Sequence, residues 1–200
     1  AVRAWLARPQ VCGAAPAQAM PGGARLFTRI AIALHALDGL VELREAIAHR
    51  RCAAQEATQR FNRVIAALLS LVFEAADVAA DPAVSRLLVA LFNLMQGKEF
   101  AGQERAAGAA AFAAGTTGRA GEQGLLHLIE AQEACFERFE TFCPPDTLAS
   151  WRAAQAAMPL AELERLRRKL IAAGQGTALA PALAEAWFAC CSQRLDQARE

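Results

Sequence analysis

Apolar residues recur at three- and four-residue intervals through most of the chain, the spacing that turns one face of an α-helix toward a core. Leu26, Phe27, Ile30, Leu34 and Leu37 begin such a stripe. Gly39 is expected to bend or interrupt it before Leu40, Leu43 and Ile47 carry a shorter piece to His49, Arg50 and Arg51, with Cys52 in the break. A second helix is expected over roughly Ala54 to Ala80, where Phe61, Val64, Ile65, Leu68, Leu69, Val72 and Ala76 form a stripe wide enough for two neighbours. Asp81-Pro82 reads as a helix start, with Asp as the cap and Pro in the first turn, and a long helix runs from there to Gly115. Leu125, Leu128, Ile129, Gln132, Cys135, Phe136 and Phe139 mark the next, closed by Pro144-Pro145. Two shorter helices follow, about Asp146 to Ala157 and Pro159 to Ala172, and Pro181 opens the last after a turn at Gly174 to Ala180.

Alanine is abundant, tyrosine is absent and β-branched residues are sparse, so local propensity agrees with the pattern and the class is all-α. At 200 residues the chain can bury more than one layer of helices, as one large domain or as two small bundles around a long central helix. Long antiparallel helices joined by short loops suit bundle packing. Lys plus Arg is 21 and Asp plus Glu is 20, a net charge of +1 that does not suit a domain gripping nucleic acid by its phosphates. The apolar runs, such as Val64 to Phe73, are too short to span a bilayer, so no membrane partner is expected. Six cysteines follow no disulfide or zinc framework and read as reduced thiols of a cytoplasmic protein. Ala1 to Arg8 looks like the end of a helix cut by Pro9. The stripe Trp187, Cys190, Cys191, Leu195 and Ala198 runs to Glu200 without a stop, so an exit helix over about 181 to 200 is expected to lead into a further effector domain.

Charge placement is the informative feature. In the long helix Val84, Leu91, Lys98, Arg105 and Phe112 lie seven residues apart, with Leu88, Met95, Gly102 and Ala109 as a companion line, which puts two cations on the expected buried seam. Gly97 and Gly102 flank them and leave room for a backbone or a ligand. Buried cations need counter-charges. Either the protein supplies them, from Glu99, Glu104, Glu130 or Glu133, or a ligand does. In the later helix Leu160, Leu163, Leu166, Leu170 and Ile171 define one face, and Arg167 falls inside it while Arg165 and Arg168 point outward. Two guanidiniums converging from different helices suit a small planar oxyanion, because each offers paired N–H donors in a plane and stays charged. Lys98 would add a point charge.

Other chemistry finds little support. His35 and His127 lie on or near apolar faces, as core histidines do, and no HExxH, CxxC or His-and-carboxylate spacing points to a metal. The chain also lacks a glycine-rich phosphate loop, a nucleophile elbow and a paired-acid constellation, so neither an enzyme nor a cofactor is expected.

The stretch LLVALFNLMQGKEFAGQERAAGAAAFAAG, Leu87 to Gly115, resembles the signature of the nitrate- and nitrite-sensing NIT domains in the order KE, AGQERA and AFAAG. The similarity extends from about Leu40 to Glu200. GLLHLIEAQEACFERF before the proline break resembles the version fused to an RNA-binding ANTAR domain in nitrate-responsive antiterminators. The resemblance implies a NIT-type sensor domain over 1–200, built as two packed antiparallel helical bundles. It implies nitrate or nitrite as ligand, a homodimer whose exit helix carries the signal, and RNA contact only through a separate C-terminal domain. Arg105 matches the motif arginine. The family's later arginine falls within ELERLRR, where the helical face selects Arg167 with Arg165 and Arg168 as fallbacks. The family's early ERG motif is absent, as if the chain began just after it. Two rivals are a structural helical dimerisation module with permanently paired arginines and a sensor of another small anion.

Overall fold

Helix-forming residues broken by proline and glycine produce seven α-helices and a short 3-10 turn in the computed structural model, which describes residues 22–156, 158 and 160–197. The helices are α1 (Gly23–Ala48), α2 (Ala54–Val78), α3 (Pro82–Ala114), α4 (Arg119–Phe142), α5 (Pro145–Ala156), α6 (Leu160–Gly174) and α7 (Ala184–Gln197), with the 3-10 turn at Pro181–Leu183. No strand occurs among the described residues. None of the described helices is long and apolar enough to cross a membrane. The helix end expected at Ala1 to Arg8, the loop after it, Ala157, Pro159, Ala198 and Glu200 lie outside the described residues.

The chain divides into two units, Ala1–Val89 and Ala90–Glu200. In the first, α1 and α2 pack as an antiparallel hairpin. Arg25 at the start of α1 reaches the end of α2, where its Nε lies 2.8 Å from the Glu74 carboxylate and its Nη2 pairs with Asp77. Gly22 caps α1 at φ 82°, and a Cβ there would sit 2.4 Å from Val78 Cγ1, so both backbone and space demand glycine. Gly39, expected to bend or interrupt α1, does not interrupt it. A single exposed glycine costs about 1 kcal/mol in a helix interior, and the helix formers on both sides carry the hydrogen bonding through it. Asp81 caps α3 as its sequence suggests, its Oδ1 accepting from the Ala83 backbone N–H at 2.8 Å.

Two apolar clusters organise the second unit. Ala90, Phe139, Cys143 and Trp151 join α3, α4 and α5, while Phe112, Leu125, Leu163, Leu166, Leu170 and Trp187 join α3, α4, α6 and α7. The buried line of α3 is not the expected seam. It runs through Ala90, Asn93, Gly97, Ala101, Glu104, Gly108 and Phe112, whereas Leu91 and Met95 are exposed and Lys98 and Arg105 only part-buried. Small side chains decide this rotation. Phe136 presses on Gly97 and Trp187 on Gly108, so that a Cβ would meet those rings at 2.6 and 2.3 Å. Of the two glycines expected to leave room, Gly97 holds the Phe136 ring, while nothing lies within 4 Å of a Cβ on Gly102.

Gly108→Ala should destabilise the chain by about 1–3 kcal/mol through overpacking. Gly102→Ala, with nothing within 4 Å of the new Cβ, should stabilise it by up to about 1 kcal/mol through helix propensity. Urea midpoints of the two variants measure this contrast, and equal shifts would refute the close-packing account.

Candidate functional site: a buried arginine network

The charge on the inner face of α3 is Glu104, 1% exposed. A lone carboxylate there would be very costly, and α6 answers it with Arg167, which the apolar periodicity of that helix turns inward and which is 4% exposed. The pair is bidentate. Arg167 Nε donates to Glu104 Oε1 at 2.7 Å and Nη2 to Oε2 at 2.8 Å, the side-on fork matched to a planar carboxylate. Arg167 Nη1 donates outward to Glu164 at 2.7 Å, with Glu133 at 3.8 Å. Burial opposes the Arg167 charge, but the hydrogen bonds and attraction of Glu104, and then of Glu164, more than offset it and hold the guanidinium above its ordinary range.

The network continues into α4 and α7. Gln132, fully buried on α4, donates its Nε2 to Glu104 Oε2 at 2.6 Å and to the Leu128 carbonyl at 3.1 Å. Its Oε1 accepts from Arg194 Nη1 of α7 at 2.6 Å. Arg194 stacks over Phe136 at 5.5 Å from the ring centroid. Its Nε is buried with no hydrogen-bond partner. Burial first, and then repulsion from Arg167, push its pKa below the usual arginine value. Nearby Cys191 is pushed up to about 12, by burial and then by the negative Glu104, so its thiol is inert at neutral pH.

Arg105 lies one position further round α3. Its Nη1 donates to Ser192 Oγ at 2.8 Å, its guanidinium lies 4.7 Å from the Phe188 ring centroid, and its backbone carbonyl accepts from Trp187 Nε1 at 2.9 Å. All three partners belong to α7. Lys98 is part-buried on α3 and has an interaction partner of its own. Arg168 is exposed, with one long hydrogen bond from its Nε to the Glu164 carbonyl at 3.4 Å. Arg167 is thus gathered into the interior network, Arg105 is held against α7, and no hydrogen bond or ion pair joins the two. Among the described residues no group of three or more His, Cys, Asp or Glu side chains could hold a metal ion.

Sequence reading held Glu104 open as one of four counter-charges for the α3 cations, without placing it on the inner face, and missed Arg194. Glu104 follows Gly97 and Ala101 at helical spacing, but small residues mark an inner face faintly. Arg194 lies seven residues after Trp187 and three after Cys191, on the stripe of α7 itself, and that periodicity was signal enough.

A family model described as nitrate and nitrite sensing (NIT) matches residues 1–200. The chain belongs to the NIT family. A nitrate regulatory protein of Klebsiella oxytoca is 40% identical over 175 residues, which cover 87% of this chain and 43% of that protein. The solved structure of the NasR transcription antiterminator is 35% identical, with a TM-score of 0.82, over 99% of this chain and 51% of that one. The NIT chain therefore spans about half the length of these relatives. A sensing and regulatory domain, not an enzyme, is what the family and both relatives describe. The all-α reading and the resemblance read from Leu87 to Gly115 agree with them.

Glu104→Ala should cost this NIT domain about 3–5 kcal/mol, because it strands Arg167 in the core. Glu104→Met with Arg167→Met should recover most of that loss. Urea unfolding of the single and double variants measures both terms, and a double variant as unstable as the single would show that the pair is not the source of the effect.

Proposed function

We propose that this chain binds nitrate or nitrite and passes the signal on through α7. The observation that carries this reading is the setting of Arg105. Its guanidinium meets a hydroxyl and a ring face, and no carboxylate of the described residues pairs with it. A part-buried permanent cation with neutral partners has room in its charge balance for one small anion. Arg167 is the second guanidinium of this reading, Lys98 a point charge on α3, and Arg168 the exposed fallback on α6. Since Trp187, Phe188 and Ser192 all contact Arg105, a change there acts directly on the last helix.

The wider role follows from the relatives. Their names support a part in nitrate regulation and transcription antitermination. On this reading the controlled genes are those of nitrate assimilation and RNA is contacted by an attached C-terminal domain, since a net charge of +1 gives this chain little grip on phosphates. Exposed Phe27, Leu37 and Val41 on α1 support a homodimer. The six cysteines, none in a disulfide framework, support a cytoplasmic setting. One observation favours a second reading, a ligand-free dimerisation module: the Arg167 fork is already filled by Glu104.

Nitrate has four heavy atoms, so its binding energy is limited to about 6 kcal/mol and its Kd to about tens of micromolar or weaker. Calorimetric titration in chloride-free buffer should give a saturable curve in that range. Arg105→Ala should lose it while keeping its helical circular dichroism, and Arg105→Lys should weaken it, since a point charge lacks the planar fork. Unchanged affinity in Arg105→Ala would sink the site assignment. No heat and no thermal shift with either anion in the wild type would favour the dimerisation module.

A further inference from the structure

Arg167 and Arg194 enter the same interior from neighbouring helices, yet their donors are used differently. The Arg167 side-on fork, Nε with Nη2, is closed on the Glu104 carboxylate, and its remaining nitrogen is held by Glu164. Arg194 makes one hydrogen bond, from Nη1 to a neutral amide oxygen. Its own Nε is buried and meets no acceptor, so the fork that Arg167 fills is vacant in Arg194. Two buried-facing guanidiniums share one buried carboxylate, Glu104, while Glu133 and Glu164 are exposed. All three carboxylates pair with Arg167, and none of them is in ion-pair contact with Arg194.

We infer that Arg194 is a further binding residue of this sensor, whose Nε and Nη2 receive a small planar oxyanion beside the Glu104–Arg167 pair. The inference rests on the anion-sensing reading and deepens it. The pair itself shows the chemistry, for a carboxylate presents two oxygens in a plane to the fork, as nitrate and nitrite do. An anion there completes the buried Nε–H and neutralises the charge that Arg167 opposes. Arg194 as a residue is part-buried, and its Nε is the atom that burial cuts off from solvent. Gln132 positions it, since one amide ties Glu104 and Arg194 together and fixes the plane of the guanidinium. Because Arg194 stands on α7, the ligand contacts the last helix itself.

The test combines calorimetry with NMR of the whole chain carrying ¹⁵N-labelled arginine, the Arg194 Nε–H signal being identified by its loss in Arg194→Lys. Nitrate and nitrite should shift that signal saturably, and Arg194→Lys should weaken nitrate binding about tenfold or more with unchanged circular dichroism. Arg194→Gln serves as a second variant, with the same expectation, should the lysine disturb the fold. Nitrate binding by calorimetry with an unmoved Arg194 Nε–H, or with full affinity in a folded Arg194 variant, overturns the inference and leaves the sensor reading standing. If neither nitrate nor nitrite binds but formate or bicarbonate moves the signal, the seat stands and the nitrate reading falls. No response to any of the four overturns both.

Discussion

The second unit depends on one interaction, the ion pair between Glu104 and Arg167. Both partners are almost completely buried, so each would be untenable alone. Their bidentate geometry, with Gln132 on one side and Glu164 on the other, satisfies the donors and acceptors that burial takes from water. Four helices are tied by this cluster, with α3 giving Glu104, α4 Gln132, α6 Arg167 and α7 Arg194. Apolar replacement of such a pair is often close to neutral, so what the pair adds is register. Only one rotation of α3 against α6 puts carboxylate and fork in one plane.

The second constraint is space. Trp187 is fully buried because Gly108 lets its ring approach the backbone of α3, and its indole N–H is completed by the Arg105 carbonyl. Phe136 uses Gly97 in the same way and also carries Arg194 on its face. The small residues of the family motif therefore set how close α4 and α7 come to α3. Arg194 is then held over Phe136 itself, and Arg105 over Phe188, the chain neighbour of Trp187.

Much of this was legible in the sequence. The helices showed in the apolar spacing, and Arg167 was found because α6 has a strong contrast between its faces, so that a charge inside the leucine stripe stands out. α3 has no such contrast. Its outer positions Val84, Leu91 and Met95 are as apolar as a core, while its inner ones are Gly97, Ala101 and Gly108, so counting hydrophobes selected the wrong seam. The same weighting left Glu104 as only one of four possible counter-charges, since a charge beside glycines reads as surface, and it placed Lys98 and Arg105 deeper than they are. Gly39 was over-read for a related reason. A glycine marks a break only when neighbouring residues or packing also favour one, and those around it favour the helix.

Magnitudes limit how an anion can act on this network. A ligand of four heavy atoms has at most about 6 kcal/mol to offer. Breaking the Glu104–Arg167 pair to seat it on the Arg167 fork would take about 3–5 kcal/mol of that. What remained would give an affinity of several millimolar or weaker, too little for a sensor of dilute nitrate. The buried pair is then better understood as scaffold than as a latch that the ligand opens. An anion that binds usefully must take donors not already committed, and two such sets next to the network are the Arg105 guanidinium, with its neutral partners, and the vacant fork of Arg194. Both are joined to α7, Arg105 through Ser192 and Trp187 and Arg194 as part of the helix. Thermodynamic economy and signal direction therefore select the same helix, and Arg167 contributes by holding Glu104 and Gln132 where the Arg194 guanidinium needs them.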